Sequence, residues 1–98
     1  MTQIKYEQNR DELEIHFKEA EITYCKKVDG GITFEFDTDD SLTTIILPNF
    51  FKIIHQQPNP NANFTFEKSI FNEHIVTLTI KMDNRPINVK IDLTKLDK

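Results

Sequence analysis

The 98-residue chain has no tryptophan, a single cysteine, two adjacent glycines and four prolines. With only one thiol, Cys25, it cannot build the internal disulfide framework that holds many small secreted domains together. No helical pattern follows Gly30 and Gly31, which excludes a phosphate-cradling glycine loop. No apolar run approaches the ~20 residues that a membrane-spanning helix needs. We therefore expect a small globular domain with no membrane partner.

The length predicts how many domains the chain forms. Residues 1–98 are enough for one domain with a core of roughly one or two dozen side chains, so we expect a single domain. The start, MTQIKYEQ, has neither the basic residues nor the apolar stretch of a secretory signal. The expected location is therefore the cytoplasm, which agrees with the lone cysteine.

Charge is distributed unevenly along the chain, whose net charge is −4. Residues 1–49 carry five basic and eleven acidic side chains, and residues 50–98 carry seven and five, so the halves stand at −6 and +2. An acidic half repels phosphate backbones, and no stripe of lysine and arginine with interleaved aromatics is present. We expect no direct nucleic-acid partner, and a basic protein surface is the better match.

Apolar residues recur at every second position along most of the chain, which is typical of strands with one buried face. The pattern comprises Ile4 and Tyr6; Leu13, Ile15 and Phe17; Ile22 and Tyr24; Ile32, Phe34 and Phe36; Leu42 to Leu47; Phe64 and Phe66; Val76, Leu78, Ile80 and Met82; and Ile87, Val89, Ile91 and Leu93. We predict a mainly β fold, an antiparallel meander of about seven or eight short strands, with Ile15, Phe34, Phe36 and Leu78 buried.

Turn residues and one break in the alternation divide the chain. Asp29-Gly30-Gly31 and the stretch 83–86 predict hairpin connections. Phe50, Phe51, Ile53 and Ile54 have helical spacing, and Pro58 would end a helix, so we predict one short helix near residues 49–57. The chain then divides into a β-meander (1–47), a helix with a polar loop (48–63) and further antiparallel strands (64–98).

The acidic cluster Asp37, Asp39 and Asp40 follows one predicted strand. It lacks the further ligands, the glycine and the bidentate glutamate of a calcium loop. Aspartate and serine side chains commonly form turns by accepting hydrogen bonds from nearby backbone amides. We therefore interpret the cluster as a turn.

Four side chains could in principle bind zinc or act as a nucleophile and base: His16, His55, His74 and Cys25. None stands at the short spacing typical of a zinc site, and no histidine lies near Cys25 in sequence. We predict no metal, no cofactor and no catalytic residue.

The stretches IKYEQNRDELEIHF and KKVDGGITFEFDTDDSLTTIIL resemble the domain of unknown function 2283, over about residues 4–47. The matching positions are Tyr6, Asp11, Leu13, Ile15, Phe17, Val28, Gly30 or Gly31, Ile32, Phe36, Asp37, Asp39, Asp40, Leu42, Ile45 and Leu47. The chain departs from that family at Ser41, where the turn usually closes with glycine, and at Ile46, where the last strand usually has a polar residue. The resemblance implies a small bacterial β-meander with no established activity, and for some members an antitoxin-like role in a small gene pair.

These observations favour a non-catalytic protein-interaction module, antitoxin-like or immunity-type, that binds a basic protein partner. The expected partner surface is acidic: Glu7, Asp11, Glu12, Glu14, Glu19 and Glu21. Ile46, Phe50 and Phe51 are expected to offer apolar surface for a homodimer. Two alternatives stay open. One is an enzyme or ligand-binding domain whose site, around Asp37, Asp39, His16 and Cys25, forms only on folding or dimerisation; the other is a self-associating regulator without a ligand.

Overall fold

The computed structural model describes residues 2–28, 30–59 and 61–95, and these form eight strands and one short helix. The elements are β1 (Gln3–Glu7), β2 (Glu12–His16), β3 (Tyr24–Lys27), β4 (Thr33–Phe36), β5 (Leu42–Pro48), α1 (Phe50–Ile53), β6 (Phe64–Asn72), β7 (Ile75–Met82), β8 (Arg85–Asp92) and a 3₁₀ turn (Leu93–Lys95). The predicted mainly β class is confirmed. In the described part of the chain, no helix has the length and apolar character to cross a membrane.

The strands form two antiparallel sheets. One has five strands in the order β1-β2-β5-β4-β3, and the other is the three-stranded meander β6-β7-β8. In the larger sheet β2 pairs with β5 rather than with β3, so strands β2 to β5 have the order of a Greek key. This non-local pairing positions the acidic strand β2 inside the sheet.

The two sheets enclose one core. The inner face of the larger sheet contributes Leu13, Ile15, Ile45 and Leu47, and the smaller sheet contributes its central strand β7; all of these apolar residues are buried in one cluster except Ile75, at the start of β7. Rings connect the sheets directly, with Tyr6 and Phe64 centroids 5.1 Å apart and Phe17 and Phe66 centroids 5.6 Å apart.

Of the four side chains predicted to be buried, Ile15, Phe34 and Leu78 are buried, while Phe36 is half-buried. Phe36 stacks on Tyr24 of the edge strand β3, with ring centroids 4.9 Å apart.

Several turns of the described chain have left-handed backbone. Gly30 and Gly31, with φ of 89° and 82°, lie in the β3–β4 connection, as predicted; Asp29 lies outside the described residues. Asp83 and Asn84, with φ of 51° and 68°, form the two-residue turn between β7 and β8. Residues other than glycine also have positive φ, including His55 at 56° and Glu73 at 54°.

The helix covers Phe50–Ile53 and is therefore shorter than the predicted range, residues 49–57. His55 has a φ of 56° and its amide donates to Lys52 O at 3.2 Å, while the Gln56 amide donates to Phe51 O at 3.0 Å. These are the two hydrogen bonds of a Schellman motif. The helix therefore ends by this backbone reversal and not at Pro58.

Candidate functional site

The outer face of β1 and β2 gathers part of the predicted acidic surface. Glu7 lies directly opposite Glu12 in the β1–β2 register, and Glu14 lies opposite Lys5. All three glutamates are half-buried, and they share this face because Leu13 and Ile15 turn inward. Glu7, Glu12 and Glu14 are called the acidic face from here on.

Basic side chains and one backbone amide contact the acidic face. Arg10 Nη2 lies 3.9 Å from Glu12 Oε1, but its side chain is 66% exposed. His16 Nε2 lies 3.0 Å from Glu14 Oε1, and Glu7 Oε1 accepts a hydrogen bond from the Asn9 amide at 3.1 Å. Exposed ion pairs of this kind contribute little free energy. Lys5 also lies on this face, opposite Glu14, so the three glutamates are accompanied by two basic side chains, Lys5 and Arg10.

Glu19 and Glu21, which were predicted to belong to the same surface, are exposed on the segment between β2 and β3. Glu19 borders a pocket with Gln3, His16 and Lys18, so it lies beside β1 and β2. Glu21 lies farther along the segment that leads to β3, at the opposite edge of the sheet.

Asp11 does not serve as a solvent-facing acid, which corrects the prediction. It is half-buried: Oδ1 accepts a hydrogen bond from Tyr6 Oη at 2.7 Å, and the two carboxylate oxygens lie 3.4 and 3.3 Å from the Phe51 amide nitrogen, which donates to them. The Asp11 carbonyl oxygen also accepts from the Phe50 amide at 2.9 Å. Burial, followed by the hydrogen bond to Asp11, raises the pKa of Tyr6 to about 12. Asp11 therefore joins the β1–β2 turn to α1.

The prediction that Phe50 and Phe51 form a self-association surface is wrong, because these side chains are 0% and 1% exposed. Their rings contact Tyr6 and Phe64 in the core, with Phe50 and Phe64 centroids 5.4 Å apart. Ile46 is half-buried on the outer face, between Glu14 and Thr33 of the neighbouring strands. A dimer contact through Ile46 stays a prediction.

The acidic cluster after β4 forms a turn, as predicted. Asp37 is buried, and its Oδ1 accepts hydrogen bonds from the amides of Asp39 at 2.8 Å and Ser41 at 3.0 Å. Its Oδ2 pairs with Lys18 Nζ. Lys18 and then the Ser41 amide lower the pKa of Asp37 below its usual range. Lys18 is nineteen positions away in sequence, so no local signal could have identified it.

The carboxylates of this turn act separately. Asp40 Oδ1 accepts a hydrogen bond from Tyr24 Oη at 2.9 Å, which raises the pKa of Tyr24. Asp39 is exposed. Within residues 2–28, 30–59 and 61–95, no three carboxylate, imidazole or thiol groups converge as metal ligands would.

The residues of the alternative catalytic site are not brought together. His16 and Cys25 lie in one cross-strand row, His16-Thr44-Glu35-Cys25. Three strand spacings separate them, roughly 14 Å, which is too far for a nucleophile and its base. His55 follows α1 and His74 lies in the β6–β7 turn, so these imidazoles belong to separate elements.

Two groups of exposed apolar residues were not predicted from the sequence. Ile22 and Tyr24, predicted to be on a buried face, are 41% and 37% exposed. At the tip of the β6–β7 hairpin Ile70, Phe71 and Ile75 are also exposed. A 170 Å³ cavity lies between the sheets near this tip, and it is lined by Phe34, Phe36, Leu42, Phe71, Val76 and Leu93. Alternation marks an apolar face, but it does not show whether another sheet covers it.

Comparison with known proteins gives no relative: no family model, curated protein or solved structure matches the chain. The resemblance of residues 4–47 to the domain of unknown function 2283 stays a prediction.

Proposed function

We propose that the chain is a non-catalytic protein-interaction module whose acidic face binds a basic protein. The observation that carries the proposal is the register that sets Glu7 directly against Glu12. Side chains in such a cross-strand pair have Cβ atoms about 4.5–5.5 Å apart, and like charges at that distance destabilise the sheet. A cationic partner surface would relieve this repulsion.

Two further features support the proposal. The half of the chain that contains the acidic face has a net charge of −6. Tyr6 and the aliphatic side chains of β1 and β2 face the core. Substitutions that change the charge of the acidic face should therefore leave the core packing intact. An antitoxin-like or immunity-type role is the form of the proposal that the family resemblance implies.

The test compares two double variants with the same change of net charge. Glu12→Lys with Glu14→Lys reverses the acidic face, while Glu67→Lys with Glu73→Lys reverses exposed charges on the smaller sheet. Binding is measured to a polylysine peptide and to the product of the neighbouring gene, at low and high salt. We expect the first variant to lose at least tenfold in affinity for either probe, with slower association, because electrostatic attraction speeds encounter.

The control variant is expected to bind within about twofold of the wild type. Equal losses in both variants would reduce the effect to net charge and contradict a defined acidic face. Absence of binding to both probes at low salt, with a folded protein, would contradict the proposal itself.

A further inference from the structure

The 170 Å³ cavity between the sheets has walls from both of them. Its described lining consists of apolar side chains from β4, β5, β6, β7 and the 3₁₀ turn: Phe34, Phe36, Leu42, Phe71, Val76 and Leu93. Phe34 and Val76 are 3% and 0% exposed, whereas Phe71 is 58% exposed. The cavity therefore reaches the core and opens beside the β6–β7 hairpin. It is called the inter-sheet cavity.

The walls of the inter-sheet cavity are restrained by contacts outside it. Phe36 stacks on Tyr24, whose Oη donates a hydrogen bond to Asp40 Oδ1 at 2.9 Å. On the opposite wall, the Leu93 amide donates to His74 O at 2.6 Å and so connects the 3₁₀ turn to the β6–β7 turn. Restrained surroundings collapse only partly into an adjacent space, so the cavity is a preformed site.

The lining discriminates between ligands by polarity. A charged or hydrogen-bonding group would lose its water there without gaining a partner among the described lining side chains, which is unfavourable. An apolar ring instead removes its own surface and that of the lining from water. The three phenylalanines add edge and face contacts that favour an aromatic ring.

The volume limits the size of the ligand. Apolar cavities of about 150 Å³ lined by leucine, isoleucine and phenylalanine bind benzene. Sites for drug-sized molecules are larger, roughly 300–1,000 Å³. The 170 Å³ of the inter-sheet cavity accordingly accommodates one ring with a short alkyl group.

We propose that the inter-sheet cavity binds a small uncharged molecule with a single aromatic ring. This site goes beyond the proposed function, because the acidic face lies on the outer side of β1 and β2 and the cavity lies on the inner side of β4 and β5. The variant Glu12→Lys with Glu14→Lys should therefore bind such a ring as the wild type does.

The first experiment titrates the full chain with toluene and follows methyl groups by nuclear magnetic resonance. We expect the methyl signals of Leu42, Val76 and Leu93 to shift and to saturate before toluene reaches its solubility limit. Leu13 and Leu47, which pair with each other at the far end of β5, should not shift. Benzoate has the same ring with a negative charge, and it should bind at least tenfold more weakly than toluene.

The second experiment reduces the volume of the cavity. Leu42→Phe and Leu93→Phe each enlarge a half-buried lining side chain, from opposite walls. We expect each variant to bind toluene at least tenfold more weakly than the wild type does. The matched control is Ile70→Phe, since Ile70 is exposed on the same hairpin outside the described lining, and it should bind within about twofold of the wild type. Circular dichroism checks that all three variants fold.

Four results would overturn the proposal. One is a wild type without saturable shifts at the cavity methyl groups, and another is equal shifts at Leu13 and Leu47. The third is benzoate binding as tight as toluene binding. The fourth is undiminished binding in both folded filling variants. The wild-type titration decides the matter even where a filling variant does not fold.

A competing occupant of the cavity is the chain itself. Leu96 follows the lining residue Leu93 by three positions and lies outside the described residues. The same titration of Leu96→Ala distinguishes the two occupants. Equal affinity in this variant and the wild type supports an external ring, whereas binding in Leu96→Ala alone would assign the cavity to Leu96 and overturn the proposal.

Discussion

Asp11 and Asp37 are carboxylates that hold the backbone in place. Asp11 accepts hydrogen bonds from Tyr6 and the start of α1, and Asp37 closes its own turn and pairs with Lys18. Charged side chains are costly to bury unless they are paired and hydrogen-bonded. The buried Asp37 has both an ion pair and hydrogen bonds, while the half-buried Asp11 is hydrogen-bonded. The sequence predicted that Asp37 forms a turn, because its partners are local amides. It could not predict the role of Asp11, whose partner Phe51 is forty residues away.

Asp37 should make the protein sensitive to acid. Its folded pKa lies below the unfolded value of about 3.9, so its stabilising contribution is complete above that pH and is lost as pH falls through the lower folded pKa. We expect Asp37→Asn to lower the melting temperature by several degrees at pH 7. The difference in melting temperature between pH 7 and pH 3 should be smaller in this variant than in the wild type. The exposed neighbour provides the control, since Asp39→Asn should melt like the wild type at both pH values.

An acid sensitivity in Asp37→Asn that equals or exceeds that of the wild type would contradict this assignment. It would mean that other carboxylates, and not Asp37, carry the loss of stability at low pH.

Among the elements, strands with one face against the core could be predicted from alternation, because one buried face per strand is enough to produce the pattern. Leu13 with Ile15, and Val76 to Met82, are examples. β3 shows the limit of that reasoning. Its Tyr24 is exposed on the edge strand of the larger sheet, and alternation does not show which part of a face another sheet covers. The residue at which α1 ends could not be predicted from the sequence either, since a histidine with left-handed backbone is not a usual helix stop signal.

The packing between the sheets can be tested with Phe34 of β4 and Phe71 of β6. Phe34 is buried between the sheets, so Phe34→Ala should lower the free energy of unfolding by about 3–5 kcal/mol, a large part of the stability of a domain this size. Phe71 is 58% exposed, and Phe71→Ala should cost less than about 1 kcal/mol. Urea titrations followed by circular dichroism measure both values. Similar losses in the two variants would contradict the burial of Phe34.

For the whole molecule, the shared core has a thermodynamic consequence. Side chains from both sheets form one buried cluster, and β1 approaches β6, so neither sheet has a separate core. We expect a single cooperative unfolding transition, with coincident melting curves from far-ultraviolet circular dichroism and tyrosine fluorescence. Calorimetric and van't Hoff enthalpies should agree. Two resolved transitions would contradict the prediction of a single domain over residues 1–98.

The sequence predicted the fold class and the acid-rich outer face of β2, since both follow from local periodicity. It could not place Phe50 and Phe51 in the core. That outcome depends on which elements pack against α1, a property of the complete chain.

The strand order also bears on how the chain reaches this structure. The smaller sheet uses only neighbouring strands, so its hairpins close short loops, while the pairing of β2 with β5 must wait until the residues between them are arranged. Closing longer loops costs more entropy before any contact repays it, and such pairings are the slow steps of folding. On a ribosome, however, β2 and β5 emerge before any of the smaller sheet. Until β7 is synthesised, no partner sheet covers the apolar face formed by Leu13, Ile15, Ile45 and Leu47. During this interval the exposed apolar surface makes the nascent chain prone to aggregation.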